Sequence, residues 1–136
     1  MWEVFDTNVF GVIRVTNAML PLLLRSAAPR IVNVSSMVGS LAVQTDPTGR
    51  LAGLPPSLGY PVSKTALNAV TVQYARELAG RILVNAADPG YCATDLNNHT
   101  GYRTAAQGAA IAVRLATLDD GGPTGGLFND DGPVPW

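Results

Sequence analysis

The chain has 136 residues, 47% of them apolar and 14% charged, with 14 glycines and 10 prolines. This composition suits one globular domain over residues 1–136 and argues against a disordered tract. The formal net charge is -1, and the nine basic residues are spread singly. No Lys/Arg cluster can neutralise consecutive phosphates, so neither nucleic acid nor an acidic membrane surface is expected as a partner.

Cys92 is the only cysteine, which excludes an internal disulfide and fits a reducing, cytoplasmic compartment. His99 is the only histidine and has no cluster of ligand-type residues around it, so no metal site is expected. The apolar run Met19–Leu24 is far short of the ~20 residues that span a bilayer, and Met1 opens a segment carrying Glu3 and Asp6. Neither a signal peptide nor a membrane anchor is expected.

From Trp2 to about Arg25, apolar residues recur at three- and four-residue steps, which predicts an amphipathic helix with a broad buried face. The β-branched run from Ile31 to Ser35 predicts a short buried strand. Residues 39–59 carry Gly39, Pro47, Gly49, Gly53, Pro55, Pro56 and Gly59 without periodicity and read as a long loop. A second helix is expected from Tyr60 or Pro61 to about Ala79, with Pro61 at its first turn and Gly80 beyond its end. Ile82–Ala87 reads as a second strand, Thr104–Leu118 as a third helix and Gly125–Phe128 as a last strand, followed by a turn-rich tail. Helix, strand, helix, strand, helix, strand, with short and uniformly apolar strands, predicts a parallel sheet covered by helices on both faces. Its crossovers are expected to be right-handed.

The sharpest chemical feature is Tyr60-Pro61-Val62-Ser63-Lys64. Four residues make one helical turn, so Tyr60 and Lys64 share a face. A free tyrosine titrates near ~10, too high for a base at neutral pH, but an adjacent cation and the helix N-terminus favour its anion. Such a tyrosine can exchange a proton with an alcohol or carbonyl oxygen. The same residues also fit a plain surface turn. Lys64 is the only lysine among the nine basic residues, and a compact ammonium is not interchangeable with a guanidinium at a tight contact.

Ser35 and Ser36 place hydroxyls at the carboxyl end of a predicted parallel strand, where open α/β sheets bind ligands, or where a polar residue simply caps the next turn. Asp88-Pro89-Gly90-Tyr91-Cys92-Ala93-Thr94 closes the second strand with a Pro-Gly turn that lets backbone approach a flat ligand; alternatively Thr94 caps a helix. Asn8, in Thr7-Asn8-Val9-Phe10-Gly11, is a polar residue in an apolar helical stretch.

In this order, the motifs resemble the short-chain dehydrogenase/reductase family. Asn8 matches its NxxG, Ser36 the second serine of VNVSS, Tyr60 and Lys64 its YxxxK, and Pro89-Gly90 with Thr94 its PGxxxT. The resemblance implies the C-terminal part of a Rossmann-like doubly wound parallel sheet. It implies Tyr60 as general acid/base and Lys64 as the residue that lowers its pKa and holds the nicotinamide ribose. Ser36 would bind the substrate oxygen and Asn8 a relay water, while Pro89, Gly90, Cys92 and Thr94 would face the nicotinamide. The cofactor implied is NADP or NAD, and the substrate a small carbonyl or alcohol.

Two further features, the 23 residues between Ser36 and Tyr60 and the ending Pro123–Phe128 with its tail, resemble the carbonyl-reductase-like branch, which favours NADP. The family's Gly-rich phosphate turn and its Asn-Ala-Gly motif have no counterpart in the sequence. At roughly 30 residues per βα unit, some ~90 residues of nucleotide-binding half are unaccounted for. The expected function is therefore a nicotinamide-dependent oxidoreductase whose activity alone is in question. The alternatives are a non-catalytic remnant, a subunit that needs a complementary N-terminal half, and, last, a sugar-nucleotide epimerase or dehydratase. Homo-oligomerisation is left open.

Overall fold

The computed structural model describes all residues, Met1–Trp136. The first helical stretch runs without a break through α1 (Trp2–Phe5), a π-helical segment (Asp6–Gly11) and α2 (Val12–Leu23). The expected helix is therefore present but not uniform. Widened π turns shift the register of side chains around them and recur at functional positions, and this one contains Asn8.

After β1 (Arg30–Val34) come a 3-10 turn (Met37–Gly39) and α3 (Leu41–Thr45), so the stretch expected to be a continuous loop carries a short helix. Ser40 explains it, because its hydroxyl accepts from the Val43 amide at 3.0 Å and caps that helix. Next are α4 (Tyr60–Glu77), β2 (Leu83–Ala87), a 3-10 turn (Asp95–Asn97) and α5 (Ala105–Ala116). The reciprocal capping box of Thr104 and Gln107 fixes the start of α5.

The chain ends with β3 (Leu127–Asn129) and β4 (Gly132–Val134). Two expectations fail here. The last strand starts two residues later than Gly125, which instead has φ +80°, a left-handed conformation suited to a turn and not to a strand. The tail is also not irregular: β4 forms an antiparallel hairpin with β3, and beyond it Pro135 accepts a hydrogen bond from Ser40 at 2.5 Å.

The sheet order is β1-β2-β3-β4, with β1 and β2 parallel from Arg30↔Leu83 to Val34↔Ala87, and β2 and β3 parallel at Ala86↔Leu127 and Ala87↔Phe128. Alternation divides its side chains between two faces. Ile31 and Val84 pack with Ala75 and Leu78 of the α4 layer, together with Leu20 and Leu23 from α2. Ala87, Val32 and Phe128 pack on the other face against Ile111 and Leu115 of α5. Each of these large aliphatic side chains contributes about 1.5–3 kcal/mol when fully buried.

Helices thus cover both faces, but the expectation of uniformly right-handed crossovers fails. The chain steps the same way across the sheet from β1 to β2 and from β2 to β3, yet α4 and α5 lie on opposite faces, so the two crossovers have opposite hand. The long segment 88–104 between β2 and α5 gives the chain room to reach the far face.

Candidate active site

Four of the residues singled out from the sequence converge at the carboxyl ends of β1 and β2. The backbone keeps the two strand ends side by side beyond the regular ladder, because the Ser35 amide donates to Ala87 and the Asp88 amide to Phe128, both at 2.8 Å. Ser36 follows, and its hydroxyl accepts from the Val38 amide at 3.3 Å to start the 3-10 turn. Gly39 closes that turn directly against α4. A Cβ at Gly39 would lie 2.6 Å from the Lys64 carbonyl carbon, so any larger residue would push Ser36 away from α4. In the sequence Gly39 stands out only as the first glycine of the expected loop. Its role in seating the turn on Lys64 depends on a tertiary contact that no local pattern shows.

α4 begins at Tyr60, and Lys64 lies one turn further on. The Lys64 side chain is drawn inward: the residue is only 8% exposed, and its Nζ donates to the Val34 carbonyl at 2.8 Å. The same Nζ is 5.5 Å from the centre of the Tyr60 ring. Burial pushes the Lys64 ammonium below its usual value. Tyr60 moves the other way. Burial pushes its phenol up, the Asp88 carboxylate adds to the rise and the Ser36 hydroxyl opposes it. The Lys64 ammonium is held by the Val34 carbonyl, beside the Tyr60 ring and not against its hydroxyl.

Asn8 reaches the site through α4. Its Nδ2 donates to Ser63 Oγ at 3.0 Å, and Ser63 Oγ donates to the Tyr60 carbonyl at 2.7 Å. Behind these residues, Asn33 Nδ2 donates to Thr71 Oγ1 at 2.9 Å, and Ser35 Oγ to Asn68 Oδ1 at 2.5 Å. Buried polar groups thus tie β1 to α4 along its length.

The turn after β2 is arranged differently. Gly90 has φ +72°, as the Pro-Gly turn requires. Cys92 is directed toward α5, with Sγ 3.5 Å from the Pro89 carbonyl and so close to Gly108 that a Cβ there would be 2.2 Å away. Thr94 caps the 3-10 turn Asp95–Asn97: its amide donates to Asn97 Oδ1 at 3.3 Å, and its carbonyl accepts from the Asn97 and His99 amides. Asn8, Ser36, Tyr60 and Lys64 are therefore brought together, while Cys92 and Thr94 are held within their own loop.

Two openings flank the site. A groove of about 690 Å³ lies between the first helical stretch and β1, with Asn8, Gly11, Asn33, Val34 and Lys64 in its wall. β1 is an outer strand, so one of its edges is unpaired. On the other side, Met37, Asp88, Gly90 and Arg103 line a small cleft of about 30 Å³. No helix is long and apolar enough to cross a membrane, and no group of three or more His, Cys, Asp or Glu is placed to hold a metal ion.

The sequence profile of the family described as short chain dehydrogenase matches residues 1–105. Among characterised proteins, (-)-isopiperitenone reductase from Mentha piperita is 36% identical over 157 residues, covering 92% of this chain and 50% of that protein. The structure of salutaridine reductase from Papaver somniferum superposes with a TM-score of 0.79 at 34% identity, covering 94% of this chain and 54% of that one. An NADPH-bound carbonyl reductase from chicken fatty liver gives a TM-score of 0.80 at 25% identity, with 98% and 56% covered. The chain spans about half the length of the relatives it matches.

Proposed function

Because this chain belongs to the short-chain dehydrogenase family, in its carbonyl-reductase-like branch, we propose that it forms the catalytic part of an oxidoreductase acting on small carbonyl or alcohol substrates. The observation that carries this reading is the convergence of Tyr60, Lys64, Ser36 and the Asn8–Ser63 pair at the carboxyl end of β1.

The donor set fits the nicotinamide-ribose end of a dinucleotide. Val34 is the one protein acceptor of the Lys64 ammonium, which carries three donors and borders the groove, so two remain for ribose hydroxyls. Pro89 and Gly90 offer the backbone of a turn to the ring. Cys92 and Thr94 belong to the same loop and would join them only after it rearranges. No Gly-rich turn between a strand and a helix occurs in these residues, so contacts to pyrophosphate and adenosine would come from another segment. When bound, the dinucleotide supplies or accepts the hydride.

The chain's own residues handle the proton. Tyr60 keeps its phenol protonated at neutral pH, since its pKa is raised, and it donates from Oη to the substrate oxygen as that oxygen gains charge. Ser36 hydrogen-bonds the same oxygen. Asn8 acts as the polar neighbour of Ser63 and holds the water that reprotonates the site. NADP is favoured over NAD because the carbonyl reductase neighbour binds NADPH. The free cysteine and the lack of a membrane-spanning helix favour the cytoplasm.

The unpaired edge of β1 and the adjoining groove favour a second element of the same reading: a complementing nucleotide-binding half docks there as a parallel strand with its helix. Without that half, the 136-residue chain is expected to bind NADPH weakly in calorimetry and to self-associate in light scattering. The test is to join the chain behind the nucleotide-binding half of a family member and to follow NADPH-dependent reduction of an aldehyde and ketone panel. Alcohol formation is the expected result. A folded, NADPH-binding fusion that reduces none of them contradicts the proposal.

A further inference from the structure

The turn that closes β2 is braced by a residue from the far end of its own loop. Gly90 has φ +72°, and as a glycine it offers little restraint of its own. The side chain that lies across it is that of Arg103: a Cβ at Gly90 would sit 2.8 Å from Arg103 Cδ and 3.4 Å from Nε. Backbone pairing holds the two ends of the loop together, since the Ala93 amide donates to the Arg103 carbonyl at 2.8 Å and the Arg103 amide to the Tyr91 carbonyl at 3.2 Å. Gly101 permits this approach, because a Cβ there would be 2.2 Å from the Cys92 carbonyl carbon.

The guanidinium of Arg103 then leaves the loop. Its Nη2 donates to the Gln107 carbonyl at 2.9 Å and pairs with the carboxylate of Asp130 in the β3–β4 turn, the two side chains being 23% and 40% exposed. Nε is buried without a partner, so these contacts, and not the full set of guanidinium donors, fix its orientation. The β3–β4 turn is itself anchored, because Arg114 of α5 donates to the Asn129 carbonyl at 3.0 Å and the Asp131 amide donates to Asn129 Oδ1 at 2.9 Å. Gly90, Arg103, Asn129 and Asp130 line one small cleft. The neighbouring pair of Arg50 and Asp131 is of another kind: its atoms are 3.8 Å apart and its side chains 69% and 79% exposed, so it contributes little.

We propose that Asp130 is a positioning residue for the site: by holding Arg103 it holds the Gly90 turn, so the C-terminal hairpin sets the backbone that faces the nicotinamide. The inference rests on the reading of the Gly90 turn as the ring-facing backbone. Between β2 and α5 the segment 88–104 has one isolated bridge and one 3-10 turn as its regular structure, and segments of that kind open locally at low cost. A charge-assisted hydrogen bond to a planar guanidinium restrains orientation as well as distance. Arg103 carries that restraint from the hairpin to Gly90, which has no side chain with which to make it.

The test is residue-resolved amide hydrogen exchange of the 136-residue chain without cofactor. Asp130→Asn keeps the shape of the side chain and removes its charge. Exchange at the hydrogen-bonded amides of Gly90, Ala93 and Arg103 should speed up by about three- to tenfold, the range expected when a partly buried charge-assisted bond becomes a neutral one. The Ser35 and Leu78 amides, bonded to Ala87 and Tyr74, should keep their rates. Asp130→Glu should bring the three amides back toward the parental rate, and Asp131→Asn, which removes the same charge from the same turn, should leave them unmoved. Unmoved amides in folded Asp130→Asn, no recovery in Asp130→Glu, or an equal rise in Asp131→Asn each overturn the proposal. If Asp130→Asn does not fold, the unaltered chain decides: in mild denaturant the Asp131 amide should open together with Gly90, Ala93 and Arg103 as one cooperative unit, and separate opening overturns the proposal. No readout uses cofactor or turnover, so a failure of the reductase reading appears in the reduction assay and not here.

Discussion

The two faces of this small sheet are built from different materials. On the α5 side, Ala87, Val32 and Phe128 meet Ile111 and Leu115 in an apolar layer, and the side-chain hydrogen bond from α5 to a strand, Arg114 to the Asn129 carbonyl at 3.0 Å, is exposed. On the α4 side the apolar packing of Ile31, Val84, Ala75 and Leu78 is confined to the amino-terminal ends of the strands. Toward the carboxyl ends it gives way to Asn33–Thr71, Ser35–Asn68, Lys64–Val34 and Asn8–Ser63. Apolar contacts are non-directional and tolerate small shifts, whereas a ladder of buried hydrogen bonds fixes β1 and α4 in one register. One face therefore supplies stability, and the other supplies geometry as well.

This contrast can be broken from either side. Ile111 is 1% exposed, and Ile111→Ala should cost about 2–5 kcal/mol in denaturant unfolding. In the joined protein, turnover per folded molecule should stay near that of the parent. Ser35→Ala should cost less, about 1–3 kcal/mol, because it leaves Asn68 Oδ1 without its donor in a place where Asn68 Nδ2 is already unpartnered. Unlike Ile111→Ala, it should also lower turnover, since Ser36 is the next residue. Loss of turnover in Ile111→Ala, or none in Ser35→Ala, would erase the distinction between the faces.

The smallest effect concerns Lys64. Burial holds its folded pKa below the ordinary 10.5, so the folded chain binds that proton more weakly than the unfolded chain does. Stability should therefore rise with pH between the lowered value and 10.5, and the Lys64 contribution should be least favourable below that interval. Lys64→Met lacks the rise. At neutral pH its melting temperature should match or exceed the parent's, and the parent should gain relative to it as pH increases. Tyr60 contributes with the opposite sign above its ordinary 10.0 in both proteins, so the difference between them isolates Lys64. A constant difference at all pH values would show that Lys64 is not desolvated.

Much of this arrangement is legible in the sequence. Tyr60 and Lys64 fall one turn apart on a helix whose start Pro61 marks, and Ser36 ends a β-branched run, so local periodicity alone places them at adjacent element ends. The π turn at Asn8 was not readable, since a helical apolar pattern does not distinguish one extra residue per turn. Nor was β4: Gly132-Pro133-Val134 has no strand pattern and gains its conformation from pairing with Leu127–Asn129. A motif places Cys92 and Thr94 in the turn after β2, whereas their orientation is set by the Gly108 notch and by Asn97.

The central claim is that Tyr60 handles the proton. It is tested most directly by the NADPH-dependent reduction rate of Tyr60→Phe in the joined protein, with circular dichroism confirming the fold. General acid/base catalysis contributes typically ~10² to 10⁴-fold, so the rate should fall by that order while melting temperature and NADPH affinity stay close to the parent's. A folded Tyr60→Phe protein that reduces carbonyls at nearly the parental rate would contradict the account.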